Sequence, residues 1–461
     1  MHIRMYEKAE EIIKTIKTES DRNQRKKQIE SLQALGVIPS SLTCREEKKN
    51  EISLAGLFFK SGEELEQGLR KYWINKDIQQ KQCEDEEAYI KQNVRIGTEF
   101  TFHHPTFLFT MKDLEKSSSD GDYQKNNREK GIDEGNRIIA QWTADLQREY
   151  SRQKLLSGSK ITAANTGHGH KKYTNAAYEA VEIMFEIEIK DTLQDLQDRT
   201  FLWKVNFDLD PSCIELQADP MPYCFFANCG YCIETLLFRH TGKYRRTSKY
   251  GLEADKSIET GGGGHISLDV GAAFSGNAVY MRNFLVLYSC EALKASIEKT
   301  AKEQEKELTE EQKKWMQRSF LTEEQRQLLS ESKDVANAPF LFEADEWLRF
   351  KHFIADFDRQ QASIEEFVRG MQEQVYVNAT RELEIAMGGA EHVEVGDKWH
   401  YQAVNLEHVH DDGRIELRRF DAQESINELL QQTEVLFQIL MMARTNRKIS
   451  IDKALESDYF A

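Results

Sequence analysis

Four short segments of this chain alternate polar and apolar side chains, and this pattern constrains the fold more than any other feature. In residues 413–420, Glu416 and Arg418 alternate with Ile415 and Leu417. Successive side chains of a strand point to opposite faces, so the acid and the base share one face and the aliphatic side chains share the other. Such a segment can bury one face in an antiparallel sheet and keep the other face charged.

The other three segments, residues 94–102, 213–220 and 264–270, place further polar groups in the same way. Their polar faces carry Glu99 with Thr101, Glu215 with Gln217 and Asp219, and His265 with Ser267 and Asp269. If all four strands join one antiparallel sheet, one face holds at least three carboxylates, an imidazole and a guanidinium. We therefore expect an α+β fold, in which a curved antiparallel sheet flanked by helices forms the floor of a site for a divalent cation and a polyphosphate.

Charge and hydropathy exclude several classes of partner. The chain has 461 residues, and 62 Lys and Arg against 78 Asp and Glu give a net charge of −16. This balance argues against nucleic acid or an anionic membrane as the main partner. The first residues lack the apolar core of a signal peptide, and the most apolar runs, 284–289 and 435–443, are too short to span a bilayer. We expect a soluble, cytoplasmic protein.

Composition divides the chain into four regions. Residues 1–92 are rich in Lys, Glu and Gln and predict a helical N-terminal extension, and residues 300–387 predict a helical insertion. Residues 93–299 and 388–461 then form the two parts of a catalytic α+β domain. The helical regions suggest a protein partner or a homo-oligomer, although helices this charged usually have solvated faces.

Local patterns add four expectations. Residues 177–198 fit a helix better than a strand, because their apolar side chains recur at helical spacing, and a strand with Glu186 and Glu188 on one face is the alternative. Residues 116–128 predict a solvated loop. Residues 201–220 predict a hairpin that turns at 208–211. Residues 421–424, Asp-Ala-Gln-Glu, match a capping box at the start of the last helix.

Seven cysteines in a chain of this size do not make a disulfide framework. Cys213, Cys224, Cys229 and Cys232 lie close enough in the sequence for a structural zinc to be conceivable. Their spacing is not that of a common zinc finger, and their neighbours are aromatic. Buried, reduced cysteines are the preferred interpretation, since free cysteine often packs as a small apolar residue.

Taken in order, the polar segments resemble the glutamine synthetase-like carboxylate-amine ligases, a superfamily that includes glutamate-cysteine ligases and smaller amidoligases. The matching motifs are residues 97–102, 214–220, 263–266, 401–406 and 415–418. Each motif is short, and the specificity comes from five of them in the right order. The resemblance covers most of residues 93–290 and 388–461, and it does not extend to the two helical regions.

The resemblance implies ATP-dependent formation of an amide or peptide bond. A carboxylate is phosphorylated to an acyl phosphate, and an amine then displaces the phosphate. The implied cofactors are ATP and Mg²⁺, with Mn²⁺ as an alternative ion. The implied partners are ATP, a carboxylate substrate and an amine substrate. Either substrate is a small molecule or a protein side chain, and neither nucleic acid nor a membrane is implied.

The resemblance also implies roles for particular residues. The metal ligands would be Glu99, Glu215, His265 and Glu416. The catalytic residues would be Glu416, Arg418 and Asn405. The residues that bind the cofactor would be His265, Gly263, Gly264, Arg245 and Arg246. For the two glycines a flexible turn is the alternative to close approach of the backbone to phosphate, and for the two arginines a solvated basic loop is the alternative.

Two residues depart from the family pattern. Thr101 stands where the family usually has a second acid, and Ser267 stands where it often has a second histidine. A metal position could be weakened, or filled from elsewhere by Asp219. Two alternatives therefore stay open: a catalytically degenerate protein that acts as a binding or scaffold module, and a phosphotransferase of the same superfamily.

Overall fold

The structure is a computed structural model in which helices and antiparallel strands are mixed, so the expected α+β class is confirmed. It describes residues 11–12, 14–16, 22–34, 45–47, 51–54, 57–59, 86–104, 121–151, 156–162, 180–189, 199–210, 213–238, 250–256, 263–329, 344–359, 362–376, 402–444 and 447–456. None of the helices in these ranges is both long enough and apolar enough to cross a membrane.

A small antiparallel sheet lies in the N-terminal part of the chain. Its strands, in order, are β1 (Arg45–Glu47), β2 (Glu51–Leu54) and β3 (Leu57–Phe59). The expectation of a wholly helical extension over residues 1–92 is therefore wrong for these strands. Isoleucine, leucine and phenylalanine are frequent in β2 and β3, and local β propensity prevails there over the charged composition of the surrounding region.

The main sheet is antiparallel and open, and nine strands belong to it in the described part of the chain. They are β4 (Arg95–His103), β5 (Leu156–Thr162), β6 (Ala180–Ile189), β7 (Arg199–Asp210), β8 (Cys213–Pro222), β9 (Glu253–Ala254), β10 (Ile266–Asp269), β11 (Val404–Asn405) and β12 (Arg414–Leu417). Their order is β11-β12-β10-β4-β8-β7-β6-β5, with β9 also paired to β4. The four segments that alternate in the sequence are therefore the neighbours β12, β10, β4 and β8, as expected.

The register keeps polar side chains on one face of these four strands. Ser267 lies opposite Glu416, and Glu99 lies opposite Gln217. The other face is buried and mainly apolar, with Thr98 as a polar member, and it includes Ile96, Phe100, Phe102, Leu216, Ile266, Leu268, Ile415 and Leu417. Burial of about 25 cal/mol per Å² of apolar surface stabilises this register, because a slip by one residue would exchange the two faces.

The two expectations for neighbouring strands had different outcomes. The hairpin over residues 201–220 is confirmed, but the turn expected at residues 208–211 is misplaced, because residues 208–210 still belong to β7 and pair with β8 as far as Asp210 and Cys213. The helix expected over residues 177–198 is wrong for its described part, which is strand β6, paired with β5 and β7. Its apolar residues, most often isoleucine, alternate with glutamate along most of the strand, and the strand period was obscured because apolar residues also recur at helical spacing.

The helices cover the apolar face and extend beyond the sheet. They are α1 (Arg22–Ala34), α2 (Glu86–Asn93), α3 (Gly121–Ser151), α4 (Tyr223–Ile233), α5 (Val270–Phe274), α6 (Ala278–Glu303), α7 (Glu310–Gln317), α8 (Glu323–Leu328), α9 (Ala344–Phe357), α10 (Ile364–Gly370), α11 (Ile426–Ala443) and α12 (Ile451–Glu456). Short π-helical segments, Glu234–Phe238 and Met371–Val375, continue α4 and α10. A 3₁₀ turn spans Glu407–Val409. Thr322 caps the start of α8.

Two expectations at helix starts are wrong. Helix α3 begins at Gly121, inside the segment that was expected to be a loop. Helix α11 begins after Ser425, whose hydroxyl accepts a hydrogen bond from the Glu428 amide at 3.3 Å, so residues 421–424 do not cap it. The reason for the second error is burial: the Gln423 side chain points inward and donates to the Gly264 carbonyl.

Aromatic side chains join α3 to the apolar face of the sheet. The indole of Trp142 on α3 meets Phe102 and Phe207 edge to face, with ring centroids 5.7 Å and 5.2 Å away. Phe100 makes a similar contact with Phe238, at 5.4 Å. Such pairs contribute about 0.5–1.5 kcal/mol each beyond their buried area. The apolar face is therefore closed by packing, and functional side chains are confined to the polar face.

A buried ion pair fastens the region after α6 to that helix. Arg326 on α8 donates two hydrogen bonds to the Glu298 carboxylate, at 2.9 and 2.8 Å, and both side chains are nearly buried. Lys302 and Glu323 also connect α6 and α8, but their side chains are 55% and 54% exposed. Both ion pairs thus join α6 to α8, but the first is nearly buried and the second is exposed.

We expect Arg326→Ala to lower the free energy of unfolding by about 3–5 kcal/mol, because it leaves the Glu298 carboxylate buried without its charged partner. Lys302→Ala is the matched control, and exposed pairs are worth about 0–1 kcal/mol. Urea unfolding of both variants measures the difference. Equal losses would contradict the assignment of Arg326 as the anchor.

Candidate metal site

Three potential ligands converge on the polar face where β4, β10 and β12 lie side by side. Glu99 is on β4, His265 directly precedes β10, and Glu416 is on β12. The Nδ1 atom of His265 is 2.5 Å from Glu99 Oε2 and 3.2 Å from Glu416 Oε1. One ligand atom from each residue lies within 4.8 Å of those of the other two. This grouping follows from the strand order, because β10 is hydrogen-bonded to both neighbours.

The two carboxylates of this cluster are held ionised. Burial by itself raises the pKa of Glu416, but the Arg418 guanidinium and the His265 imidazole outweigh burial and lower the pKa to about 2. Burial also opposes ionisation of Glu99, and hydrogen bonds with Glu215 and His265 lower the Glu99 pKa well below its usual range. One partly buried and one buried negative charge, on Glu99 and Glu416, flank the imidazole and attract a cation.

Neighbouring side chains orient both acids. Arg418 Nη1 donates to Glu416 Oε1 at 2.9 Å, and Asn405 Nδ2 donates to Glu416 Oε2 at 3.0 Å. Glu215 is hydrogen-bonded to Glu99 and accepts from Gln217 Nε2 at 3.3 Å. Fixed carboxylates of this kind are what a preorganised cation site requires, since such neighbouring groups set the orientation of metal ligands.

The structure thus brings together Glu99, His265, Glu416, Glu215, Arg418 and Asn405, all of them predicted from the sequence. Arg245, Arg246 and Tyr401 lie outside the described residues. Asp219, which was considered as a substitute ligand, is not in the cluster. Its side chain is 40% exposed and lies 3.8 Å from Lys204 Nζ.

The two departures from the expected pattern have structural partners. The Thr101 hydroxyl donates to the Gly263 carbonyl at 3.1 Å, and the Ser267 hydroxyl accepts from Arg414 Nη1 at 3.4 Å. Neither residue is among the three converging ligands. The cluster therefore has two acids and one histidine.

The two glycines before His265 are buried and closely packed. The Gly264 amide donates to the Phe420 carbonyl at 3.0 Å, and Gln423 Nε2 donates to the Gly264 carbonyl at 3.1 Å. A Cβ atom on Gly264 would stand 2.2 Å from the Asp421 carbonyl oxygen. Glycine is thus required here by chain packing, and a flexible turn does not describe it. Sequence reasoning missed Gln423, because its only signal lay inside the supposed capping box.

The cysteines give no second metal site among the described side chains. Cys213 and Cys229 are buried and Cys224 is partly buried, and all three are free thiols. They do not take part in a group of three ligands, and the Cys232 side chain lies outside the described residues. The structure therefore supports buried, reduced cysteines where it describes them.

The donor set of the cluster fits a divalent cation. Carboxylate oxygens suit Mg²⁺ and Mn²⁺, and imidazole extends the range to transition ions. The ionised state of Glu99 and Glu416 removes the need for proton loss from either acid before an ion binds. The His265 Nδ1 atom, placed between the two acids, is the third donor.

No protein-family model, curated protein or solved structure matches this chain. The functional interpretation therefore depends on the geometry of the cluster and on the order of its motifs. Both point to the same residues.

We expect Gly264→Ala to lower the free energy of unfolding by about 1–3 kcal/mol or more, because the added methyl group meets the Asp421 carbonyl. Gly230→Ala on α4 is the control. A Cβ atom there would stand at an ordinary 3.5 Å from Ile426, and the change from glycine should stabilise the helix by about 0.5–1 kcal/mol. Denaturant unfolding compares the two variants, and a neutral Gly264→Ala would contradict the packing argument.

Acidification tests the charge state of Glu416. Its pKa in the folded protein, about 2, lies below the ordinary value of 4.5, so the carboxylate contributes stability above about pH 4.5 that is lost as the pH falls toward 2. In metal-free protein, Glu416→Gln should flatten the pH dependence of the unfolding free energy between pH 5 and about 3. Glu365→Gln, at an exposed site on α10, should keep the wild-type slope. Identical slopes in all three proteins would contradict the assignment.

Proposed function

We propose that this protein is an ATP-dependent carboxylate-amine ligase with a glutamine synthetase-like catalytic fold, and that it requires Mg²⁺ or Mn²⁺. The observation that carries the proposal is the convergence of Glu99, His265 and Glu416 on adjacent strands. These residues come from three of the five motifs that resemble the superfamily. The convergence was predicted from that resemblance, and it gives the proposal its main support.

Glu99, His265 and Glu416 would hold the cation, with Glu215 beside them. When bound, a divalent cation neutralises phosphate charge during phosphoryl transfer. Arg418 keeps a positive charge 2.9 Å from Glu416, at the edge of the cluster, where a transferring phosphoryl group needs positive charge. Asn405 fixes the second oxygen of Glu416 and so keeps that carboxylate aimed at the cluster.

The proposed reaction has two steps. The substrate carboxylate attacks the γ-phosphorus of ATP, which forms an acyl phosphate and releases ADP. The amine then attacks the acyl carbon, the C–O bond to phosphate breaks, and a proton leaves the nitrogen. The polar face of the sheet continues past the cluster onto β8 and β7, where Glu215 lies opposite Asp208 and Gln217 lies opposite Asn206.

The same proposal assigns residues 93–299 and 388–461 to a single catalytic domain interrupted by the helical insertion 300–387. Its support is strand pairing: β12, from the C-terminal part, pairs with β10 over residues 414–417. Neither part could form the cluster alone, because Glu416 comes from one and His265 from the other.

A second candidate is a degenerate member of the same fold that binds a ligand or partner without turnover. The observation that favours it is at Thr101, a position where the superfamily usually has an acid. The Thr101 hydroxyl donates a hydrogen bond to the Gly263 carbonyl and is not a metal ligand in the cluster. The phosphotransferase alternative keeps only the transfer of the phosphoryl group from ATP and forms no amide bond. The same experiment separates all three.

We expect magnesium- or manganese-dependent binding of ATP, and ADP release in the presence of a suitable carboxylate and amine. Glu416→Gln and Glu215→Gln should each lower turnover by about 10²- to 10³-fold, because each replaces a carboxyl group of the site with an amide. Calorimetric titration of ATP measures binding, and coupled detection of ADP with mass spectrometry of the products measures turnover.

Glu365→Gln is the control and should keep full activity. Binding without turnover would favour the degenerate module, and a stable phosphorylated product without an amide would favour the phosphotransferase. Unchanged activity in both site variants would refute the ligase assignment.

A further inference from the structure

Thr101 is buried on the polar face of β4, two residues beyond Glu99. Its side chain is next to the cluster, since Thr101 lies opposite Glu215 across the pairing of β4 with β8. Only 4% of the residue is exposed, and its hydroxyl donates to the Gly263 carbonyl at 3.1 Å. This hydrogen bond links β4 to the segment that leads into His265.

Gly263 in turn packs against the His265 ring. A Cβ atom on Gly263 would stand 3.0 Å from His265 Nε2, so the glycine backbone lies directly beside that side of the imidazole. The opposite ring nitrogen, Nδ1, faces Glu99 and Glu416. The ring is therefore enclosed between the glycine backbone and the two acids. Whatever fixes Gly263 limits how far the ring can move from the acids.

An acid at position 101 would be incompatible with this arrangement. A carboxylate in place of the Thr101 hydroxyl would face the Gly263 carbonyl oxygen, and two acceptors repel where a donor and an acceptor now attract. The threonine and the position of the glycine segment therefore depend on each other. Threonine at this position provides a hydrogen-bond donor, whereas an acid would provide a metal ligand.

We propose that Thr101 is a positioning residue, whose hydrogen bond to Gly263 holds the His265 imidazole in place to bind a divalent cation with Glu99 and Glu416. The inference rests on the cation binding that is part of the proposed function. It goes further by giving Thr101 a role that the ligand set does not include.

The test is Mn²⁺ binding to the full-length chain, followed by the loss of the electron paramagnetic resonance signal of the free ion. Thr101→Val keeps the shape of the side chain and removes the donor, so we expect about tenfold weaker Mn²⁺ binding, in the range seen when groups that orient metal ligands are lost. Thr101→Ser restores the hydroxyl and should restore the affinity. Thr101→Ala removes the donor through a smaller side chain and should behave like Thr101→Val.

Thr98→Val is the matched control on the same strand. Thr98 is also 4% exposed, and its hydroxyl forms no hydrogen bond to the described residues, so the same substitution should leave Mn²⁺ binding unchanged. Hydrogen exchange of a peptide that covers residues 263–268 in metal-free protein gives a second readout. Exchange should speed up in Thr101→Val and Thr101→Ala and stay at the wild-type rate in Thr98→Val and Thr101→Ser.

The outcomes separate this inference from the proposed function. Wild-type binding with equal affinity in Thr101→Val and Thr101→Ala would overturn the positioning role and leave the ligase proposal standing. Absence of Mn²⁺ binding by folded wild type would overturn both. Weaker Mn²⁺ binding in Thr101→Val and Thr101→Ala, with recovery in Thr101→Ser, would support the positioning role. Hydrogen exchange of residues 263–268 at the wild-type rate in Thr101→Val and Thr101→Ala would contradict it.

Discussion

The pairing of β10 with β4 on one side and β12 on the other is the constraint on which the site depends. Strand β12 lies nearly 150 residues after β10 in the sequence, yet the two pair over residues 414–417. Because paired residues of antiparallel strands point to the same face, this register sets Glu416 beside the histidine strand. The β4 pairing does the same for Glu99. The cluster is thus a consequence of register, and register is held by the apolar face beneath it.

Neighbouring positive and polar groups compensate the negative charge of the cluster, so the folded protein can accommodate it. A buried and a partly buried carboxylate would be costly alone, since desolvation favours their neutral forms. Arg418 and His265 compensate for them, and Asn405 satisfies the remaining oxygen of Glu416. The His265 Nδ1 atom occupies the centre between the acids, where a cation would also bind. A cation at that position would compete with protons for the same ligand atoms, so its affinity would depend on pH.

Much of the site could be predicted from the sequence, because a period of two fixes which side chains share a face. Glu99, His265 and Glu416 were identified on that ground and by their motif order. The period failed for β6, where valine and isoleucine recur at both strand and helix spacings. It also could not reveal Gln423, whose role depends on a contact with Gly264 across 159 residues. Contacts of that range depend on the fold, which a local pattern does not contain.

The helices after β10 connect the cluster to the rest of the chain. Helix α5 follows β10 directly and is capped by Asp269, whose carboxylate accepts from the Ala272 amide at 3.1 Å. Helix α6 comes next, and its Arg282 donates two hydrogen bonds, at 3.0 and 2.7 Å, to Asp358, the residue directly after α9. The ion pair therefore fixes the end of α9 against the helix that follows the histidine strand and α5.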